Sequence, residues 1–304
     1  MFKLIHIVFS ILIPCIISLC KLQDPKKATN LVTAGTAEIW CDESLQGIIT
    51  QEKEIFEQAY HFTDLKIYYA PEQDIVKKLY QDSVNVIIVS HGIDTGDIKK
   101  FNAKKIFPKQ YRFGKSALAF IGAKLKKQLN YSYDEMIELL KGKSNQIFVI
   151  ESDRSGIANE ILNHIQADKL GPNFFALRDK LSVIEYVNAH PDAIGIIDWS
   201  AISDSDDTGA QKILEKISLM GISTKDSKGE FYKPYQGNLN GLYPFTRDLY
   251  FIRRLGLNDV SLGFASFICD DRGQKILLKA GLLPEYQTER WIEFNGLKDV
   301  KVVK

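Results

Sequence analysis

The sequence is poor in the residues that mark an enzyme or a metal protein. It has four cysteines in 304 residues, and two of these, Cys15 and Cys20, fall within the first twenty positions. Cys41 and Cys269 lie far apart, so neither a disulfide framework nor a metal-ligand spacing is present. They read as two buried small side chains, with a single bridge as the alternative. The five histidines, His6, His61, His91, His164 and His190, are scattered. No Gly-x-Ser-x-Gly, His-Glu-x-x-His or Walker-type loop occurs. The chain therefore reads as a non-enzyme with no cofactor and no metal, since catalytic sites need converging groups. An excess of one charge is also lacking. The formal net charge is +1, which gives no field to gather nucleic acid or an acidic membrane surface. There is no low-complexity stretch and no obvious internal repeat.

Long hydrophobic runs are lacking too, apart from one at the start. Met1, Phe2 and Lys3 form a short positive beginning, Leu4–Leu19 is almost wholly apolar, and from Lys21 the chain turns polar. That pattern predicts a secretory signal over 1–19. The run is too short for a spanning helix and Pro14 interrupts it, so an uncleaved anchor is the weaker alternative. Ile17-Ser18-Leu19-Cys20 resembles a bacterial lipobox, with Leu19 where a small residue is usual. The expectation is lipidation of Cys20, a tether over 20–34, and a location in the periplasm or cell envelope, held to the membrane by lipid.

The body alternates between two periodicities. Thr36–Cys41, Leu65–Ala70 and Val84–Ser90 predict strands, with helices over Gly47–Tyr60 and Gln73–Gln81 between them. Ser116–Ala123, Ser144–Ile150 and Ala193–Trp199 predict further strands. Helices are expected over Ser132–Lys141, Ser155–Ala167, Leu181–Ala189, Ser261–Cys269 and Arg272–Ala280. Ser203–Gly209 reads as a polar segment. Strand-helix-strand order implies parallel sheets with helices on both faces, in two blocks, roughly 36–112 and 114–242.

Several segments resemble the phosphate-type (type II) periplasmic solute-binding proteins of ABC importers. GFASFICDDRGQKILLKAGLLPE (263–285) is similar to their C-terminal signature, and VNAHPDAIGIIDW (187–199) to their Val-x-x-x-Pro-x-Ile-Gly-Tyr strand. GLYPFTRDLYFI (241–252) is similar to their return segment, and 151–161 to their ligand loop Arg-x-x-x-Ser-Gly-Thr. The resemblance implies an α/β, two-lobed type II fold with two hinge crossings. Lobe one would comprise 35–113 with 246–304, and lobe two 114–245. It implies a monomer that captures phosphate or a related oxyanion for an inner-membrane ABC permease, and binds no nucleic acid. A binding protein or sensor of the same fold for another small solute is the alternative.

Three strand-to-helix junctions can supply the donors a buried oxyanion requires, because helix N-termini present free N–H groups and a favourable dipole. They are Asp42-Glu43-Ser44-Leu45, Ser90-His91-Gly92 and Ser152–Gly156. The ligand-binding candidates are Ser44, Leu45, Ser90, His91, Glu151, Arg154, Ser155 and Gly156. Plain helix capping is the alternative for the serines. Arg247 reads as a hinge ion-pair residue or as an anion contact. The chain departs from the family pattern at Glu151 (Arg in the family), Ile157 (Thr) and His91, near the family's acidic acceptor. A carboxylate at 151 disfavours an anion unless it holds a proton or receives one from the ligand, which favours hydrogen phosphate over sulfate.

Overall fold

The computed structural model describes residues 31–226 and 229–286. The expected signal 1–19, Cys20 and most of the expected tether lie outside the described residues, as does 287–304.

The chain opens with a βαβαβ unit. Strand β1 (Gly35–Asp42) alternates, with Ala37, Ile39 and Cys41 buried and Thr36 and Glu38 outward. It pairs in parallel along its whole length with β2 (Thr63–Ala70), and also in parallel with β3 (Val86–Val89), which is buried throughout. Helix α1 (Gln46–Ala59) turns Ile48, Ile49 and Phe56 inward, and α2 (Glu72–Tyr80) turns Ile75 and Leu79 inward. After α3 (Thr95–Ala103) comes β4 (Pro108–Ala123), a strand of sixteen residues whose second half is buried on both faces, as a strand covered by helices on both sides should be.

Strand β4 joins two halves of one sheet. On one side β11 (Thr246–Arg254) lies antiparallel between β3 and β4. On the other side β4 is antiparallel to β8 (Ile194–Asp198), which is parallel to β6 (Phe148–Ile150), itself parallel to β7 (Phe174–Ala176). The order is β2-β1-β3-β11-β4-β8-β6-β7, with β9 (Ile217–Leu219) also antiparallel to β4, while β5 (Asn130–Tyr131) and β10 (Gly221–Ile222) pair in parallel as a separate two-stranded sheet. Helices α4 (Tyr133–Leu140), α5 (Gly156–Ile165) and α6 (Lys180–Ala189) pack around the second half, and α8 (Val260–Cys269) and α9 (Asp271–Lys279) return to the first. One apolar core runs through both halves, from Ile39 and Phe56 to Ile197 and Ile161.

The expected elements are present, with differences of local cause. β4 begins eight residues before the expected strand, because pairing with β11 sustains the polar stretch Pro108–Lys115 as sheet. Helix α7 (Thr208–Lys216) occupies part of the region read as a polar segment, started by the Asp207 side chain, which accepts from the Gly209 N–H at 2.7 Å. The sheet is not purely parallel, since β4 and β11 run against their neighbours. Cys41 and Cys269 are both free thiols.

Glu52 on α1 is fully buried, and neither carboxyl oxygen has a hydrogen-bond partner among the described residues. Burial pushes its pKa up from 4.5 to about 9, so the acid is neutral in the folded protein at pH 7. A raised folded pKa gives stability that is complete below pH 4.5 and is lost as pH rises towards 9, at up to about 1.4 kcal/mol per pH unit. Glu52→Gln should remove this component, leaving a flatter dependence of denaturation midpoint on pH between 5 and 9 than wild type shows. Parallel curves for the two proteins would contradict the assignment.

Candidate ligand site between the sheet halves

The carboxyl ends of β1, β3, β6 and β8 meet at one crevice, where a doubly wound sheet collects helix N-termini. At the end of β1 the Asp42 carboxylate accepts from the Ser44 hydroxyl at 2.7 Å and, more weakly, from the Ser44 N–H at 3.4 Å. At the end of β3 stand Ser90 and His91. Beyond β6, Ser155 caps α5, its Oγ accepting from the Ala158 N–H at 3.3 Å and donating to the Ser152 carbonyl at 2.8 Å. At the end of β8, Asp198 accepts from the Ser116 hydroxyl at 2.8 Å and the Ser200 N–H at 2.9 Å.

Arg247 on β11 sits in the middle of this group with its side chain fully buried. Nη2 donates to Asp42 Oδ2 at 3.1 Å and to Ser44 Oγ at 2.8 Å. Nε lies 3.3 Å from Asp198 Oδ2. Nη1 has no hydrogen-bond partner among the described residues. The guanidinium therefore makes ion pairs to both sheet halves, and it also touches a serine of the candidate site. Burial pushes the Asp42 carboxyl up despite the attraction of Arg247.

Glu72, the first residue of α2, is buried beside them. Its Oε2 accepts from the Ser90 N–H at 2.6 Å and the Ser90 hydroxyl at 2.7 Å. Its Oε1 is 2.8 Å from His91 Nδ1 and accepts from Asn159 Nδ2 on α5 at 2.9 Å. Burial would raise its pKa, but His91, Arg247 and Ser90 outweigh that and hold it well below the usual carboxylate range. His91 faces a second acid, Glu160, at 3.4 Å. Burial opposes its charge, yet Glu160 and Glu72 raise its pKa to about 9, so it is an imidazolium at neutral pH.

Of the candidate residues, the fold brings Ser44, Ser90, His91, Ser155 and Gly156 together. Gly156 is the point of closest approach. A Cβ there would lie 2.4 Å from Ser90 Oγ, 2.5 Å from Asp42 Oδ2 and 2.7 Å from Glu72 Oε2, so only glycine fits. The Leu45 side chain belongs to the apolar core. Arg154 stands at the rim, where Nη1 pairs with Asp74 at 2.7 Å and its carbonyl accepts from the Gln73 N–H at 3.0 Å. Glu151 is half-buried. Burial raises its pKa to about 7, Lys180 opposes the rise, and Glu43, Asp42 and Asp198 add to it. Sequence reasoning missed Asp42, Glu72, Asn159, Glu160 and Asp198. The missed signal is a fourth junction, Ala70-Pro71-Glu72, where β2 passes into α2.

A family model described as a PBP superfamily domain matches residues 27–272. The chain belongs to that superfamily. No curated protein sequence matches it. Among solved structures, this PBP-superfamily chain is similar to a putative phosphate ABC transporter substrate-binding protein with bound phosphate from Clostridium perfringens. The TM-score is 0.67 at 15% identity, over 83% of this chain and 100% of that one. An ABC-type phosphate transport receptor from Vibrio cholerae gives 0.61 at 11% identity, over 82% and 100%. An OxyR C206 mutant from Corynebacterium glutamicum gives 0.57 at 12% identity, over 91% and 75%. At these identities the likeness is one of fold, and it is the type II fold expected from the sequence.

Arg247→Met would leave Asp42 and Asp198 buried without their cation. Breaking one side of a buried ion pair costs about 3–5 kcal/mol, and the loss should appear as a matching drop in unfolding free energy by urea denaturation. A variant as stable as wild type would show that the three groups do not depend on one another.

Proposed function

We propose that this chain is an exported solute-binding protein that captures phosphate or a related oxyanion for an inner-membrane ABC importer. In this reading the two sheet halves are lobes, 35–113 with 246–304 and 114–245, which close on the ligand across β4 and β11. The observation that carries the reading is Arg247. It is a fully buried guanidinium with a spare donor at Nη1, and it lies among Ser44, Ser90 and the N-terminus of α5. A desolvated oxyanion needs such donors. The solved phosphate-binding relatives support the ligand class by fold. The same reading makes the chain a monomer without catalytic activity.

The surrounding acids favour a second reading. Asp42, Asp198, Glu72 and Glu160 outnumber Arg247 and His91, and that excess suits a solute that brings protons of its own, or a neutral one bound for transport or sensing. Within the oxyanion reading, Glu151 near its titration point accepts a ligand proton. Calorimetric titration separates the cases. Phosphate should bind one per chain at pH 7 and at least tenfold more tightly than sulfate, which has no proton to share, and Glu151→Gln should narrow the gap. Equal binding of the two anions would rule out the proton-accepting role. Binding of neither would rule out the oxyanion reading and leave the superfamily assignment untouched.

The leader adds a location. We infer that residues 1–19 are removed and that Cys20 carries lipid in the cell envelope. Cys20→Ala should move the protein from the membrane fraction to the soluble fraction, and acyl mass should be found on Cys20 of the wild type. Continued membrane association of the variant with 1–19 still attached would favour an uncleaved anchor.

A further inference from the structure

We propose that Glu72 is a tethered anion that sets the specificity of the cleft, its carboxylate occupying donors that a captured oxyanion would otherwise use. The inference rests on the reading of this crevice as the ligand site. It concerns which groups a guest must displace.

The coordination of Glu72 is that of a bound guest. Each carboxylate oxygen is met by two groups: Oε2 by Ser90 N–H and Ser90 Oγ, Oε1 by His91 Nδ1 and Asn159 Nδ2, all within 2.9 Å. With its side chain almost wholly enclosed, the group has no solvation of its own to lose when these donors hold it. The donors come from both sides of the crevice, since Ser90 and His91 follow β3 while Asn159 is on α5. A single carboxylate therefore binds the two sides together, as a captured anion would. Glu72 also lies against the α5 N-terminus, where a Cβ on Gly156 would come 2.7 Å from Oε2. An oxyanion reaching for the α5 N–H groups enters the space this carboxylate already fills.

The tether makes the competition unequal. Pro71 precedes Glu72 with φ −57° and starts α2, so the carboxylate is delivered by a fixed backbone and is always present. An intramolecular competitor acts at an effective concentration that a dilute free anion does not match. Like-charge repulsion adds to the exclusion, and it is strongest against an anion with no proton to share. Glu72 thus weakens the binding of every oxyanion, and of sulfate most.

The test uses the full chain with inorganic sulfate and inorganic phosphate as probes. Glu72→Ser removes the carboxylate and keeps a residue suited to a helix start. It should bind sulfate at least tenfold more tightly than wild type. Glu72→Gln, which keeps the bulk, should gain less. Glu38→Gln, which removes an exposed charge on β1, should leave sulfate affinity unchanged. If folded Glu72→Ser binds sulfate no better than wild type, or binds phosphate more weakly, the proposal fails. The second result would make Glu72 an acceptor of the ligand's proton instead. Should Glu72→Ser not fold, Glu72→Gln decides by the same criterion. If wild type binds no phosphate while Glu72→Ser binds sulfate, the proposal stands and the oxyanion reading of the native protein falls.

Discussion

The guanidinium of Arg247 holds the crevice together. Asp42 ends a strand of the first sheet half and Asp198 ends a strand of the second, and both are fully buried. Two buried carboxylates in such a place carry a desolvation cost that calls for a cation. The cation from β11 makes their burial tolerable, and Ser44, Ser116 and Ser200 supply further donors. Arg247 can reach both only because β11 is laid between β3 and β4. The strand order of the whole sheet is therefore tied to one charge balance. The balance also reaches its neighbours: the Cys41 thiol, beside Asp42, is pushed up mainly by burial and further by that carboxylate, which leaves it an unreactive thiol.

From this centre, acids and bases alternate outward. Glu72 faces His91, and His91 faces Glu160. Glu160 faces His164 at 3.2 Å, and His164 Nδ1 lies 3.0 Å from the Tyr133 hydroxyl. Burial would push Glu160 up, but His164 and His91 hold it down at about 2. The series ends at a cavity of about 370 Å³ lined by Tyr133, Glu160, His164 and Lys225. Along the rim, Asn163 meets His91 Nε2 at 2.7 Å and Gln73 donates to Asn159 at 2.8 Å. The two sides of the crevice are thus joined by side chains in addition to the strands β4 and β11. These contacts are polar and directional, and those of His91 and His164 depend on the protonation of the imidazoles.

Much of the fold was legible because its signals are local. Val86–Val89, Phe148–Ile150 and residues 194–197 are continuous apolar runs, and buried parallel strands read that way. Helix α5, which follows Phe148–Ile150, falls within the expected helix 155–167 and buries Ile157, Ile161 and Ile165. β7 and the start of β4 were not legible, since their residues are sheet only by virtue of their partners. The site divides along the same line. Ser44 and Ser155-Gly156 could be singled out because a serine or glycine at a helix start carries its own physical reason, and Ser90 because it ends an apolar run. Glu72 was missed because an acid in a first helical turn is commonplace. Its four donors come from residues 18, 19 and 87 positions away, a convergence that sequence spacing does not display. Arg247 was recognised as an ion-pair residue, but its partners at Asp42 and Asp198 lie on strands that only the folded sheet brings near.

The late position of β11 in the chain has a consequence for assembly. β3 and β4 are both in place by residue 123, yet the strand that lies between them begins at Thr246. Until that segment arrives, each has a bare edge of unpaired N–H and C=O groups, the kind of edge that recruits strands from other molecules. Pairings so distant in sequence also form slowly. A chain emerging from its N-terminus can finish the second sheet half around β6, β7 and β8 before the first half closes. The first βαβαβ unit, though made earliest, is completed last, when β11 covers the edges of β3 and β4.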